Sequence, residues 1–369
     1  MSIIESAVLV VNETLRHAHV VTLLPLSLPG ITEEGNSTPS RRVPSFFRIS
    51  YEAGAYLAFR HFQERNPIIV KELETLACDL QFTYETFDDE LSPIVASRHL
   101  QQVVTRSDKI PVAIIGAARS TVSVALGTLA GVYQIPQVSV TSTATVLDDK
   151  NLFPYFGRMI PTNAGDATAM AIYFKSIGVS HFGCLFIRDD FGTSFSKDVF
   201  LAAESHGLVV TSIAFEAEST ESIKEALQFL KGTNLRYFFG IWNEKTYQAV
   251  FMEGYRSGIM GNPDYFWLLG EGSLFTDPTR TLDANTEIDL ARSISGTGVV
   301  QLRIKDNPDI ADEMQRFQFD PGFQADFIAS HVRVHLKCWA IFDVTRCRCL
   351  TYIEFLTTEP GKPISIRID

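Results

Sequence analysis

Short apolar runs and stretches of helical period alternate along most of this chain. Val20 to Leu26 is rich in apolar residues and does not alternate, which predicts a strand buried on both faces. Leu28 to Pro44 is dominated by Gly, Ser, Pro, Thr and Asn and predicts a loop. Ser50 to Glu64 then follows a helical period, with Ala55, Ala58, Phe59 and Phe62 on one face. Ser50 is the expected cap, and Glu52 falls in the first turn, where a negative charge is favoured. Leu80 to Thr86 alternates as a strand, and Ser92 opens a helix with Ile94, Val95, Leu100, Val103 and Val104 as its apolar positions.

The stretch from Pro111 to Pro161 organises the rest. Val112 to Ile115 is a short apolar run ending at Gly116, followed by Ala117-Ala118-Arg119-Ser120-Thr121 and a helical pattern through Val132. A second run, Gln137 to Val140, ends in Thr141-Ser142-Thr143-Ala144-Thr145. Two strand ends therefore carry hydroxyls, and the first cluster opens a helix. The order so far is β-α-β-α-β-α-β, which predicts a parallel sheet with right-handed crossovers.

After Pro161 the pattern restarts. Helix is expected over Asn163 to Ile177, Ser194 to His206, a segment ending at Leu230, and Glu244 to Ile259. Asn163 is a candidate cap, and Ser222 with Glu225 reads as a capping box. Strands are expected at Phe182 to Ile187, Leu208 to Phe215, Arg236 to Trp242 and Tyr265 to Leu269. This is a second α/β unit without close sequence repetition of the first. From about Phe317 the character changes, and the tail carries no clear α/β alternation.

Length and composition narrow the class. The chain has 369 residues, 46% of them apolar and 20% charged, which suits a globular protein of two domains. Its 32 basic and 43 acidic residues give a formal charge of −11, arguing against nucleic acid or an anionic membrane as partner. No run of about twenty apolar residues marks a membrane span. The N-terminal segment lacks the basic start of a signal peptide. Cys78, Cys184, Cys338, Cys347 and Cys349 are odd in number and do not suggest a disulfide framework. Asn12 and Asn36 head glycosylation sequons, which matter only in a secreted chain.

Enzyme signatures are missing. There is no G-x-S-x-G elbow, phosphate-binding loop or H-E-x-x-H pair, and GAARST lacks the glycines of a dinucleotide fingerprint. Asp189-Asp190 reads as a turn rather than a catalytic or metal pair. His331, His335, Cys338, Cys347 and Cys349 do not have a standard zinc spacing. No cofactor, metal or enzymatic activity is expected.

Several landmarks carry a resemblance: IIGAARSTVSV, IPQVSVTSTAT, FPYFGRMIP, RDDFGTSF and YFFGIWNEKTYQAVFMEGYRSGIM. In their order and spacing the chain resembles the ligand-binding region of type I periplasmic-binding-protein-like receptors, from Leu23 to Leu302. That family includes bacterial amino-acid-binding proteins and the ectodomains of class C receptors of the metabotropic glutamate and GABA-B types. The resemblance implies two doubly wound parallel-sheet α/β lobes joined by a hinge, a Venus flytrap, incomplete at the C-terminus. The implied lobes are residues 16–145 and 146–302, with hinge crossings near 141–161 and 295–303 and an unmatched tail at 303–369.

The resemblance also implies a function. It implies a cell-surface receptor domain that binds a small amino-acid-like ligand between its lobes and signals by closure. The partners would be that ligand, a membrane receptor region outside this chain, and a second copy through the first lobe. An extracellular location follows from the same reading. A binding protein for amino-acid uptake and an incomplete, non-binding fragment stay open as alternatives.

Candidate residues follow from the same comparison. Ser120 and Thr143 match the positions that hold the ligand's carboxylate and amine, with Thr121, Thr141 and Ser142 beside them. A carboxylate suits hydroxyls and helix N-terminal amides. Read from the residues alone, Ser120 could instead cap its helix, and Thr141 to Thr145 could bond within a turn. Glu271 is the candidate partner of an ammonium. Phe191 stands where relatives carry an aromatic cover, and Trp242 and Asn243 end a strand that could line the cleft. Arg119 is unusual in the hydroxyl turn; it could pair with an acidic ligand group or face solvent.

Overall fold

A computed structural model describes residues 17–28, 43–44, 48–76, 80–106, 110–243, 246–270, 284–300, 308–310, 312–313, 353–355 and 364–366. These fall into two compact units. The first takes the described residues within Met1–Thr141, Lys150–Met159 and Asn307–Cys347. The second takes those within Ser142–Asp149, Ile160–Asp306 and Arg348–Asp369.

The first unit is built on five parallel strands: β1 (His17–Leu24), β4 (Gln81–Asp88), β5 (Ala113–Gly116), β6 (Gln137–Ser139) and β7 (Phe156–Arg158). Their spatial order is β4-β1-β5-β6-β7. A short antiparallel pair, β2 (Ser27–Leu28) with β3 (Val43–Pro44), lies in the connection after β1. Helices α1 (Arg48–Glu64), α2 (Pro93–Val104) and α3 (Ser120–Tyr133) are the crossovers. One core holds Val21, Leu23 and Ile114 of the sheet against Ala96, Leu100 and Val103 of α2 and Val122, Leu126 and Ala130 of α3. The i, i+4 and i, i+3 spacing of the helical residues explains why they share one face. Helix α1 packs by its aromatics on β4: Phe59 stacks on Tyr84 at 4.2 Å, and Phe62 meets Phe82 edge-on at 4.4 Å.

The second unit repeats the scheme. Strands β8 (His181–Ile187), β9 (Val209–Phe215), β10 (Tyr237–Ile241), β11 (Phe266–Leu269) and β12 (Gly298–Val300) are parallel, in the order β9-β8-β10-β11-β12. Strands β13 (Ile353–Phe355) and β14 (Ile364–Ile366) extend this sheet antiparallel beyond β12. Its helices are α4 (Ala164–Ser176), α5 (Asp190–Ser205), α6 (Thr220–Gly232), α7 (Tyr247–Arg256) and α8 (Ala284–Ile294).

Here the period of two decides which core each residue enters. Phe182 and Cys184 of β8 and Phe239 and Ile241 of β10 face a core closed by Met170 and Phe174 of α4 and Val199 of α5. Leu185, Ile187, Phe238, Trp267 and Leu269 face a second core with Leu227 and Leu230 of α6 and Phe251 of α7. Along β8, β10 and β11 both faces of the sheet are buried, which is why these strands read as continuous apolar runs, whereas the edge strand β9 is partly exposed.

Several local expectations shift. Helix α1 begins at Arg48, so Ser50 lies inside its first turn. On α1, Ala53, Leu57 and Phe59 are buried and Ala58 is exposed. On α2 the buried face is Ala96, Leu100 and Val103, and Ile94 is 72% exposed. Helix α5 starts four residues before the expected Ser194, because Asp189 takes the cap and its side chain accepts from the Gly192 amide. Ser219 caps α6; Ser222 lies in its first turn and accepts from the Glu216 amide, so Ser222 with Glu225 is not the box. Asn163 holds the cap position of α4 without a side-chain cap bond. The tail residues His331, His335, Cys338, Cys347 and Cys349, and Cys78, lie outside the described residues.

Candidate functional site

Strand order locates a crevice in each unit. In the first sheet β1 has β4 on one side and β5 on the other, so the connection leaving β1 and the connection leaving β5 run in opposite directions. In the second sheet β8 lies between β9 and β10 in the same way. Ligands of doubly wound sheets bind outside the carboxyl ends of strands at such a reversal. The carboxyl ends concerned are those of β1 and β5 in the first unit and of β8 and β10 in the second.

In the first unit the reversal is shaped by a close backbone approach. Gly116 ends β5 opposite Leu23 of β1, with φ +128°. A Cβ there would stand 2.0 Å from the Leu23 carbonyl oxygen, so only glycine fits. The turn Ala117-Ala118-Arg119 follows and α3 begins at Ser120. Arg119 is in the cap position, extended at φ −93° and ψ 141°, and its side chain makes no cap bond. A guanidinium has only donors, so it cannot satisfy the first-turn amides. Ser120 is buried as the first helical residue, which rules out the alternative that it caps its helix. Thr121 is half-buried beside it.

Strand β6 fixes this turn. Its alternating polar residues Gln137 and Ser139, with Thr141 just beyond its end, each donate to one of three consecutive carbonyls. Gln137 Nε2 donates to Gly116 O at 2.9 Å, Ser139 Oγ to Ala117 O at 2.6 Å, and Thr141 Oγ1 to Ala118 O at 2.8 Å. Ser123 Oγ adds a second donor to Ala117 O at 3.2 Å. Thr141 is itself exposed, and with its proton committed its oxygen keeps acceptor capacity. On the β1 side, Asp88 Oδ1 accepts from the Leu26 and Glu90 amides at 2.9 and 3.0 Å.

The second unit carries the other candidates. Ser142 and Thr143 are buried, and Thr143 O accepts from the Asn163 amide at 3.2 Å. Two residues on, Thr145 Oγ1 lies 2.7 Å from Ser194 Oγ and 3.1 Å from each carboxylate oxygen of Asp198. Ser194 and Asp198 are one turn apart on α5, so this helix holds the segment that carries Ser142 and Thr143.

At the β8 end, Asp189 Oδ1 accepts from the Gly192 amide at 2.8 Å. Asp189 is thus a helix cap, and its carboxylate already supplies the negative charge that this N-terminus favours. Phe191 is half-buried in the first turn, edge-on to Phe195 with centroids 5.9 Å apart. At the β10 end, the Asn243 carbonyl accepts from the Thr246 and Tyr247 amides, both at 3.1 Å. Trp242 is fully buried, 5.7 Å from Phe251 and 6.2 Å from Trp267. Its ring belongs to the core, which corrects the expectation that it lines a cleft. Glu271 lies outside the described residues.

Sequence reasoning missed the roles of Gln137, Ser139, Ser194 and Asp198. The alternation of polar and apolar residues in QVSVT was the available signal for the first two. Nothing local marks Ser194 and Asp198, whose partner lies about fifty residues away in the chain. Among the described residues, no His, Cys, Asp and Glu groups of three or more are placed to hold a metal ion. No described helix is long and apolar enough to cross a membrane.

Comparisons with known proteins bear on the same region. Residues 72–346 match the model of the receptor family ligand binding region. The extracellular calcium-sensing receptor of Mus musculus is 26% identical over 181 residues, covering 48% of this chain and 16% of the receptor. Metabotropic glutamate receptor 4 of Mus musculus is 25% identical over 171 residues, 45% of this chain and 18% of the receptor. Metabotropic glutamate receptor 8 of Homo sapiens is 27% identical over 124 residues, 34% of this chain and 14% of the receptor. The aligned part is thus under a fifth of each relative's length.

Proposed function

The chain belongs to the receptor family ligand binding region, of the type I periplasmic-binding-protein-like fold, and from that premise we propose that it is the ligand-recognition part of a cell-surface receptor. Its ligand is a small amino-acid-like molecule, bound in a cleft between the two units, and closure on the ligand is the signal. One observation carries this reading: both sheets reverse direction at strand ends, of which those of β5, β8 and β10 lie in the matched family region and lead into Ser120 and Thr121, Phe191, and Asn243.

The chemistry of the two ends supports opposite roles. The α3 N-terminus has no acceptor side chain at its cap and offers Ser120 and Thr121, which suits a carboxylate. The α5 N-terminus already carries the Asp189 carboxylate and the Phe191 ring, which suits the ammonium end and its hydrocarbon neighbours. Glu271 and Thr143 are proposed as further partners of the ammonium, with Thr141 and Asn243 along the rim and Ser142 buried behind it. The ligand shifts an open–closed equilibrium only through its tighter binding to the closed form. The relatives are receptors by name, and a non-enzymatic role for this chain is part of the proposal. An extracellular setting and a membrane region beyond this chain belong to it too.

The test is small-angle scattering of the purified chain with and without each common L-α-amino acid and GABA. A ligand that binds should lower the radius of gyration. Binding with unchanged dimensions would refute closure.

A further inference from the structure

The β5–α3 turn is held from one side by a row of three donors that ligand recognition does not itself require. Gln137, Ser139 and Thr141 are two residues apart, the period that puts strand side chains on one face. They reach Gly116 O, Ala117 O and Ala118 O in register, at 2.9, 2.6 and 2.8 Å. Gly116 is the last residue of β5, and Ala117 and Ala118 lie between that strand and the start of α3 at Ser120, so strand and helix pairing do not account for this regular row of donors. Gln137 and Ser139 are fully buried, so the first two bonds are sheltered from water.

We propose that Gln137, Ser139 and Thr141 are positioning residues of the ligand site, which fix the turn and so set where the first amides of α3 and the Ser120 hydroxyl stand. The proposal rests on the reading that this N-terminus receives the ligand's carboxylate. Fixing three carbonyls fixes three peptide planes. The amides that follow are then oriented before the ligand arrives, and the ordering cost at binding is lowered. Thr141 is the most informative of the three. It is exposed and lies at the end of the first unit's run, so its loss leaves the buried core intact. It also extends the role of the hydroxyl cluster: Thr141 acts through the turn, whereas Ser120 and Thr121 face the ligand.

The test uses Thr141→Val, Ser139→Ala and the conservative Thr141→Ser in the full chain. Hydrogen exchange of the amides from Ala117 to Ser123 is followed by mass spectrometry without ligand. Affinities are measured for the L-α-amino acid that gives the largest thermal shift and for its carboxamide, which lacks the carboxylate. The valine and alanine variants should speed exchange in this segment about fivefold, the loss of one hydrogen bond, with α5 unchanged. The same variants should weaken the amino acid and leave the carboxamide as it was. Thr141→Ser should behave as wild type. Unchanged exchange in Thr141→Val, or equal losses for amino acid and carboxamide, would overturn the assignment. If no amino acid binds the wild type, the functional reading fails, and the exchange data alone decide whether the turn is held as described.

Discussion

Replacing Gly116 with alanine should unfold the first unit more easily than any other single methyl addition on its sheet. The residue has φ +128°, a conformation that side chains avoid at a cost of about 1–3 kcal/mol. The new Cβ would stand 2.0 Å from Leu23 O and 2.9 Å from Leu23 C, where real Cβ atoms keep at least 3.0 Å from their neighbours. Those atoms are backbone, so no side-chain rotation relieves the contact. Relief requires β5 to move off β1, and each ladder bond lost costs about 1 kcal/mol. Together these give about 3–5 kcal/mol, or a fall of roughly 10 °C in the unit's melting temperature. Gly54→Ala is the control: it lies in α1 with no heavy atom within 4 Å of its Cβ position. That change should add about 0.5–1 kcal/mol. Guanidinium titration followed by circular dichroism measures the loss, and hydrogen exchange in β1 and β5 assigns it to this unit. A Gly116→Ala chain as stable as wild type would refute the argument from close approach.

Three further outcomes follow from the second unit. Asp189→Ala should cost about 1 kcal/mol through the lost α5 cap, and Asp189→Ser only a few tenths; equal losses in urea titration would contradict capping. Trp267→Phe leaves the Ile259 carbonyl without its 2.8 Å indole donor and thins the stack on Phe238, so about 2–3 kcal/mol should be lost. Unchanged stability would show that this bond contributes nothing. Burial pushes the Cys184 thiol up to about 12, so iodoacetamide at mildly alkaline pH should label it only after unfolding. Labelling of the native chain, read by mass spectrometry of the Cys184 peptide, would contradict its place in the core.

Much of the fold was legible because the apolar pattern is strong. Phe182 to Ile187 reads as a buried strand from composition alone, and it is one. Helix starts were less legible, since several residues compete for each cap. Ser222 with Glu225 satisfies the capping rule, yet Ser219 is the residue that is extended at φ −119° and ψ 100° and bonds the Ser222 amide. Asp189 was read as part of a turn because Asp-Asp-Phe-Gly looks like one, and its capping role depends on where β8 stops. Phe156–Arg158 is too short for its pairing with β6 to show in its own residues. The reversals at β1 and β8 depend on strand order, which sequence does not carry. Trp242 could have ended a strand facing outward; only the packing of Phe251 and Trp267 around it decides otherwise. At the site, the hydroxyls of Ser120 and Thr141 stood out, but that Thr141 bonds the Ala118 carbonyl appears only in three dimensions.

Titration calorimetry of the purified chain against the common L-α-amino acids, GABA and small carboxylates tests the central claim most directly. Saturable binding of at least one α-amino acid is expected, weakened at least about tenfold, some 1.4 kcal/mol, when Ser120 and Thr143 are both alanine. A chain that melts cooperatively yet binds none of them, or binds one equally well without both hydroxyls, would contradict the account.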